Sequence, residues 1–257
     1  MNFETYIPSE ALQPFVKSYT FIESEHAVTN RILPTTSFAL AFRLRGQISY
    51  IHNSHTSLLP RTTFTGLKKS ARLINYEANS AAIIVLFKET GVAAFFPTPP
   101  QLLFEQSVPL ANFFPIAEIS LLEQHLAETK NTAETIALIE AFLLSKISYS
   151  KTDPLIAEAI ANIHAVNGNL KIKGLAKSLY ISQDAFEKRF RKLTGATPKQ
   201  FAHIVKLNAL IRQNPSDTSF MDIVHENGYY DQPHFNKDFK VFTGQTPKEF
   251  FKSGNFW

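Results

Sequence analysis

The chain contains no cysteine. That one absence excludes disulfides, thiol nucleophiles and thiolate metal sites together, and it fits a reducing, cytoplasmic location. No run of eighteen or more apolar residues occurs, so no helical membrane span and no membrane partner is expected. The opening MNFETYIPSE lacks a basic stretch followed by an apolar one, which argues against a secretory leader. Neither a glycine-rich phosphate loop nor a Gly-x-Ser-x-Gly elbow is present, so no enzyme is expected. His52 and His55 stand at a ligand-like spacing, but no third ligand lies near them in the sequence. Neither a metal nor a cofactor is expected.

What is present divides in two. A length of 257 residues suits two domains. The net charge of +4 is uneven: residues 151–257 carry +5 and residues 1–150 carry −1. A basic half favours a polyanionic partner.

Residues 1 to about 115 read as β structure. Phe15–Ile22, Phe38–Leu44, Ile48–Ile51 and Ala81–Phe87 are rich in β-branched and aromatic residues. Pro34, Gly46, the stretch 52–55, Pro60, Gly66 and Asn79-Ser80 interrupt them, as in a small barrel or sandwich. A short helix is expected after Gly91, ended by Pro97 and Pro99-Pro100. From Pro115 the apolar period becomes helical. Ile119, Leu122 and Leu126 share one face, as do Ile136, Ile139, Leu143 and nearly Ile147. This predicts a helical pair over about 116–149, with helices near 116–129 and 132–149. Polar residues 148–153 mark the boundary between domains 1–150 and 151–257.

The second half says one sentence twice. Residues 186–201 read FEKRFRKLTGATPKQF and residues 235–250 read FNKDFKVFTGQTPKEF, identical at nine of sixteen positions with a constant offset of 49. In the first copy, Ile172–Leu179 predicts a short helix and Tyr180-Ile181 a turn. Ser182 then caps a helix to about Leu193 that buries Phe186, Phe190 and Leu193. Gly195 ends it, and Thr197-Pro198 starts another through about Arg212. The second copy repeats the plan. Met221–Asn227 is its short helix, Gly228 its turn with positive φ, Asp231 its cap, Phe235, Phe239 and Phe242 its stripe, and Gly244 its stop. A short helix, a tight turn and an amphipathic helix make a helix-turn-helix.

The pattern Gly228-Tyr229-x-Asp231-Gln232-x-x-Phe235-x-x-x-Phe239-x-x-x-x-Gly244-x-Thr246-Pro247-x-x-Phe250 resembles the signature of the AraC/XylS family of transcription regulators. The resemblance implies an α+β multidomain protein: a small N-terminal β-barrel or sandwich with a helical pair, then an all-α domain of seven helices. That domain carries two helix-turn-helix units, whose recognition helices (about 183–193 and 232–242) enter successive major grooves. Double-stranded DNA is the implied partner. RNA polymerase and an unknown small-molecule effector are further partners that the resemblance admits, and monomer and homodimer both stay open. A DNA-repair methyl acceptor on such a domain needs a reactive cysteine, which is absent.

Subtracting the buried phenylalanines leaves Gln183, Asp184, Ala185, Glu187, Lys188 and Arg191 on the first recognition helix. On the second it leaves Gln232, Pro233, His234, Asn236, Lys237 and Lys240. The resemblance makes Asp184, Glu187, Lys188, Gln232, Asn236 and Lys237 the base readers. Lysine addresses guanine, Gln and Asn adenine, and Glu the cytosine amino group. Ser182, Asp231, Lys192, Lys199 and Lys248 are candidates for the phosphate backbone.

Tyr6-x-Pro8, Phe15-Val16-x-x-Tyr19, Leu33-Pro34, Val85-x-Phe87 and Val108-Pro109-Leu110 resemble an N-terminal module of AraC-type regulators. That implies a domain that senses a ligand, dimerises, or both. Arg43 and Arg45 alternate beside Gly46, either as anion-binding residues inside a barrel or as ordinary exposed strand residues. The alternative to a regulator is a small-molecule-binding protein with a vestigial or non-specific DNA-binding half. Asp184 and Glu187 put acid on the first recognition face, which opposes phosphate. Lys237→Ala is therefore expected to lower specific affinity more than Lys188→Ala, and equal losses in a titration at fixed salt overturn that ranking.

Overall fold

Runs of β-branched and aromatic residues build the first half of the chain, and their two-residue period assigns each side chain to a face. The computed structural model describes residues 1–52, 55–148, 153–213, 229 and 231–253. Strands β1 (Asn2–Tyr6), β2 (Val16–Ser24), β9 (Ser80–Phe87), β4 (Ala39–Arg45), β7 (Thr62–Thr65) and β10 (Ser107–Pro109) form one antiparallel sheet in that order. Strands β3 (Val28–Ile32), β8 (Arg72–Tyr76), β5 (Ile48–His52) and β6 (His55–Leu58) form a second. The central strand β9 is apolar almost throughout because both of its faces are covered. Ala82 joins Ile22, Ile48 and Tyr76 in the apolar cluster between the sheets. Ile83, Val85 and Phe87 face the larger core on the other side, with Leu40, Phe42 and Phe64.

Helices α1 (Ile116–Glu128) and α2 (Thr132–Lys146) close that larger core with Ile119, Leu122, Leu126, Ile139 and Leu143. The helical pair thus packs on its own β domain. Asn131 caps α2 by accepting from Glu134 N at 2.9 Å. The helix ends three residues before the expected 149, because Ile147 turns extended and Ser148 N bonds Ala94 O at 2.8 Å.

The second half is helical: α3 (Pro154–Ala165), α4 (Ile172–Ser178), α5 (Gln183–Thr194), α6 (Pro198–Gln213), α7 (Gln232–Thr243) and α8 (Pro247–Ser253). The expected short helix Met221–Asn227 and the turn glycine Gly228 lie outside the described residues. Leu193, expected in the buried stripe, is only half-buried, while Phe242 at the equivalent position is fully buried. Six strands escaped the pattern reading: β1, β3, β6, β7, β8 and β10. They are short, and several are polar edge strands such as β6, whose four residues are all exposed. His52 and His55 stand opposite each other across the β5–β6 hairpin. No helix among the described residues is long and apolar enough to cross a membrane.

One polar contact ties α2 to the sheet. Glu140 Oε1 accepts from the buried Tyr19 hydroxyl at 3.0 Å and from Ser9 N at 2.8 Å. Burial, with the carboxylate beside it, pushes the Tyr19 hydroxyl far above its ordinary value and keeps it a donor. Glu140→Ala leaves that donor unpaired and is expected to cost about 1–3 kcal/mol in a urea titration.

Candidate nucleic-acid interface

Helices α5 and α7 stand on the same scaffold. Ser182 Oγ accepts from Ala185 N at 3.3 Å to cap α5, and Asp231 accepts from His234 N at 2.8 Å to cap α7. Thr194 Oγ1 donates to the Phe190 carbonyl at 3.0 Å, and Thr243 Oγ1 to the Phe239 carbonyl at 2.8 Å. Gly195 and Gly244 then end the two helices at φ +79° in each case, a conformation that strains any side chain. The next helix starts in each copy with a capping box, Thr197 with Gln200 and Thr246 with Glu249.

That scaffold fixes what faces solvent. Phe186, Phe190, Phe235 and Phe239 are fully buried. Gln183, Asp184, Lys188, Arg191 and Lys192 on α5 are exposed, and so are Gln232, His234, Lys237 and Lys240 on α7. Glu187 and Asn236 are half-buried at equivalent positions. Gln183 Nε2 donates to Glu187 Oε1 at 2.8 Å, which holds that carboxylate against its own helix. Lys199 and Lys248 are exposed in the first turns of α6 and α8.

The equivalent positions Arg189 and Asp238 brace the two helices with opposite charges. Arg189 pairs with Asp153, the N-cap of α3, with Nη2 at 2.9 Å from Oδ1. Asp238 Oδ2 meets His203 Nε2 of α6 at 2.8 Å and accepts from the Tyr229 hydroxyl at 2.7 Å. Lys206 Nζ lies 4.0 Å from the centre of the Tyr229 ring. Tyr229 is 5 % exposed, whereas its equivalent Tyr180 is 99 % exposed at φ +54°.

One basic row escaped the sequence reading. Lys173 and Lys177 on α4 and its N-cap Lys171 are exposed and pair with no carboxylate among the described residues, and α4 carries no acid. Forty-nine residues after Lys173 and Lys177 the sequence carries Asp222 and Glu226, so the first copy is basic where the second is acidic. That comparison of the copies at fixed offset is the signal that could have found them.

In the β domain, Arg45 pairs with Glu23 and donates to the Asn79 carbonyl at 3.3 Å. Arg43 Nη1 donates to the Gly46 carbonyl at 2.7 Å, and its buried Nε has no partner. A second charged group lies beside β8: Lys68, and Arg72 paired with Glu105 at 2.9 Å. Burial and the neighbouring Arg72 push the Lys68 ammonium down to about 8.

A helix-turn-helix domain family matches residues 175–253, and a domain of unknown function (DUF6597) matches residues 4–109. No curated protein matches the chain. Among solved structures, ToxT from Vibrio cholerae is 8 % identical, with 98 % of each chain covered and a TM-score of 0.48. ToxT from Vibrio cholerae O395 bound to (E)-4-(8-methylnaphthalen-1-yl)but-3-enoic acid is 11 % identical, covering 98 % of this chain and 99 % of that one, with a TM-score of 0.46. The AraC-like transcriptional activator CuxR is 12 % identical over 88 % of this chain and 91 % of that one, with a TM-score of 0.28. Similarities at this level carry no weight for function.

Burial works against the Asp238 carboxylate, but hydrogen bonds from His203 and Tyr229 outweigh it and hold the group below the usual carboxylate range. Its stabilisation is therefore complete above the unfolded carboxylate value and lost as pH falls. Asp238→Ala is expected to cost about 1–3 kcal/mol at neutral pH. The difference from the wild type should shrink as pH drops below about 4 in a thermal-melt series.

Proposed function

Because the chain belongs, through its C-terminal helix-turn-helix domain, to the AraC/XylS family of DNA-binding transcription regulators, we propose that it is a sequence-specific regulator whose α5 and α7 read successive major grooves. The observation that carries this reading is the pair of recognition helices with equal caps and equal buried phenylalanines but different exposed rows. Equal scaffolds with unequal rows suit an asymmetric site.

Within that reading, Gln232, Asn236 and Lys237 address bases in one groove, and Asp184, Glu187 and Lys188 in the other. Arg191, Lys192, Lys199, Lys240 and Lys248 approach phosphates, with His234 at the groove edge. The lysines of α4 take the backbone in the first unit, where the first helix of a helix-turn-helix crosses the phosphates. They offset the acids on α5. Ser182 and Asp231 act by capping, which fixes where each helix starts and so where its first exposed residues stand.

Residues 1–150 form the proposed sensing or dimerising domain and residues 151–257 the DNA-binding one, at work in the cytoplasm. Arg43, half-buried with its Nε unpartnered, suits an anionic effector. An effector alters DNA affinity only if it binds two states of the protein unequally. RNA polymerase contact and oligomeric state belong to the same proposal.

The test is a titration of the full chain against a duplex selected from a random pool and against an unrelated duplex, at several salt concentrations. The selected duplex is expected to bind at least about 1,000-fold more tightly. Equal binding of all duplexes overturns the reading. Lys173→Ala and Lys177→Ala should each reduce the salt slope by about 1 and weaken every duplex alike. Asn236→Ala should weaken only the selected duplex, by about 1–3 kcal/mol.

A further inference from the structure

Both recognition helices are held at their C-terminal ends by the β domain. Arg31 of β3 donates from Nη1 to the Thr243 carbonyl, the last residue of α7, at 2.8 Å. Ala71 N, just before β8, donates to the Phe242 carbonyl at 2.8 Å. Two residues after Arg31, Leu33 is buried in the same apolar cluster as Ile204, Leu207, Phe235 and Phe239. The next carbonyl, Pro34, accepts from Asn208 Nδ2 of α6 at 2.8 Å. Thr36 donates to Glu89 at 3.2 Å, and the same carboxylate oxygen meets His164 of α3 at 3.1 Å. The stretch ends at Phe38, which lies against the glycine cap of α5. A Cβ on Gly195 would stand 2.7 Å from Phe38 Cζ and 2.9 Å from the Pro100 carbonyl.

Residues 31–38 therefore touch the end of α7, the core of the second unit, the connecting helix α6 and the end of α5. The last carbonyls of a helix lack partners within it, so outside donors such as Arg31 and Ala71 satisfy them and fix where the helix ends. A helix is stiff, so holding one end sets where the other points. The ends held here lie opposite the capped ends that carry the candidate base readers.

We infer that the segment Arg31–Phe38 is a splint that sets the separation and angle of the two recognition helices. It thereby makes the β domain the determinant of which half-site spacing on DNA the protein accepts. The inference rests on the reading that α5 and α7 each occupy a groove. One base pair inserted between half-sites shifts them by about 3.4 Å and rotates them by about a tenth of a turn. A splinted pair cannot follow that change; without the splint the remaining tie is α6, and only its packing in the two cores has to yield.

The experiment uses the full chain and the duplex that the wild type selects from a random pool, with one base pair added or removed between the half-sites. The wild type is expected to lose at least about tenfold in affinity on either change. Arg31→Ala combined with Asn208→Ala, shown to be folded by circular dichroism and a cooperative melt, is expected to lose less than about threefold on the same change. It should bind an unrelated duplex as the wild type does. Arg31→Lys, which keeps a donor and a charge at that position, should retain the discrimination. A folded double variant that discriminates as strongly as the wild type overturns the splint alone. A wild type that binds every duplex alike overturns both the splint and the reading beneath it.

Discussion

Two phenylalanines one turn apart anchor each of α5 and α7, and each pair closes on a third from the following helix. Phe190 lies 5.6 Å from Phe186 and 5.3 Å from Phe201, and Phe239 lies 5.3 Å from both Phe235 and Phe250, between ring centres. All six rings are fully buried. Burying rings of this size supplies several kcal/mol per unit, and edge-to-face packing adds to it. Everything else about the helices follows from that clamp. With one stripe committed to the core, the opposite stripe must face solvent, and the glycine caps must fall where the stripe ends.

Upon that shared clamp the two units diverge in charge. The first carries two acids among four cations on α5, and lysines on the helix before it. The second carries two lysines and Asp238 on α7, and in sequence acids on the helix before it. Both braces use the same helical position, Arg189 toward Asp153 and Asp238 toward His203, so the polarity is reversed while the mechanical role is kept. Duplication conserves the packing chemistry, because apolar fit admits few substitutes, and leaves surface charge free to vary.

Legibility in the sequence followed the strength of local signals. The phenylalanine period, the Ser182 and Asp231 caps and the glycine stops make the helices of the repeat readable, since each signal acts within one or two turns. The helical pair near 116–146 was readable for the same reason. Short strands such as β7 and β8 were not, because four or five residues with many threonines or polar side chains carry no clear alternation. They become strands only through partners distant in the chain. Arg43 and Arg45 show the same limit, since their partners Gly46, Asn79 and Glu23 are brought together only by the sheet.

Tyr180 and Tyr229 mark the boundary between the two kinds of information. They occupy the same position in the two copies, and local pattern treats them alike. Sequence by itself determined that a duplicated helix-turn-helix is present, which residues stabilise it and which row each of α5 and α7 exposes, because those depend on near neighbours. Only the tertiary structure decided that Tyr180 stands in solvent while Tyr229 is buried between Asp238 and Lys206. It also decided that a segment near residue 33 completes the core of a unit some two hundred residues away. A buried hydroxyl requires an acceptor and a buried leucine requires a cavity, and both come from parts of the chain whose meeting no local pattern specifies.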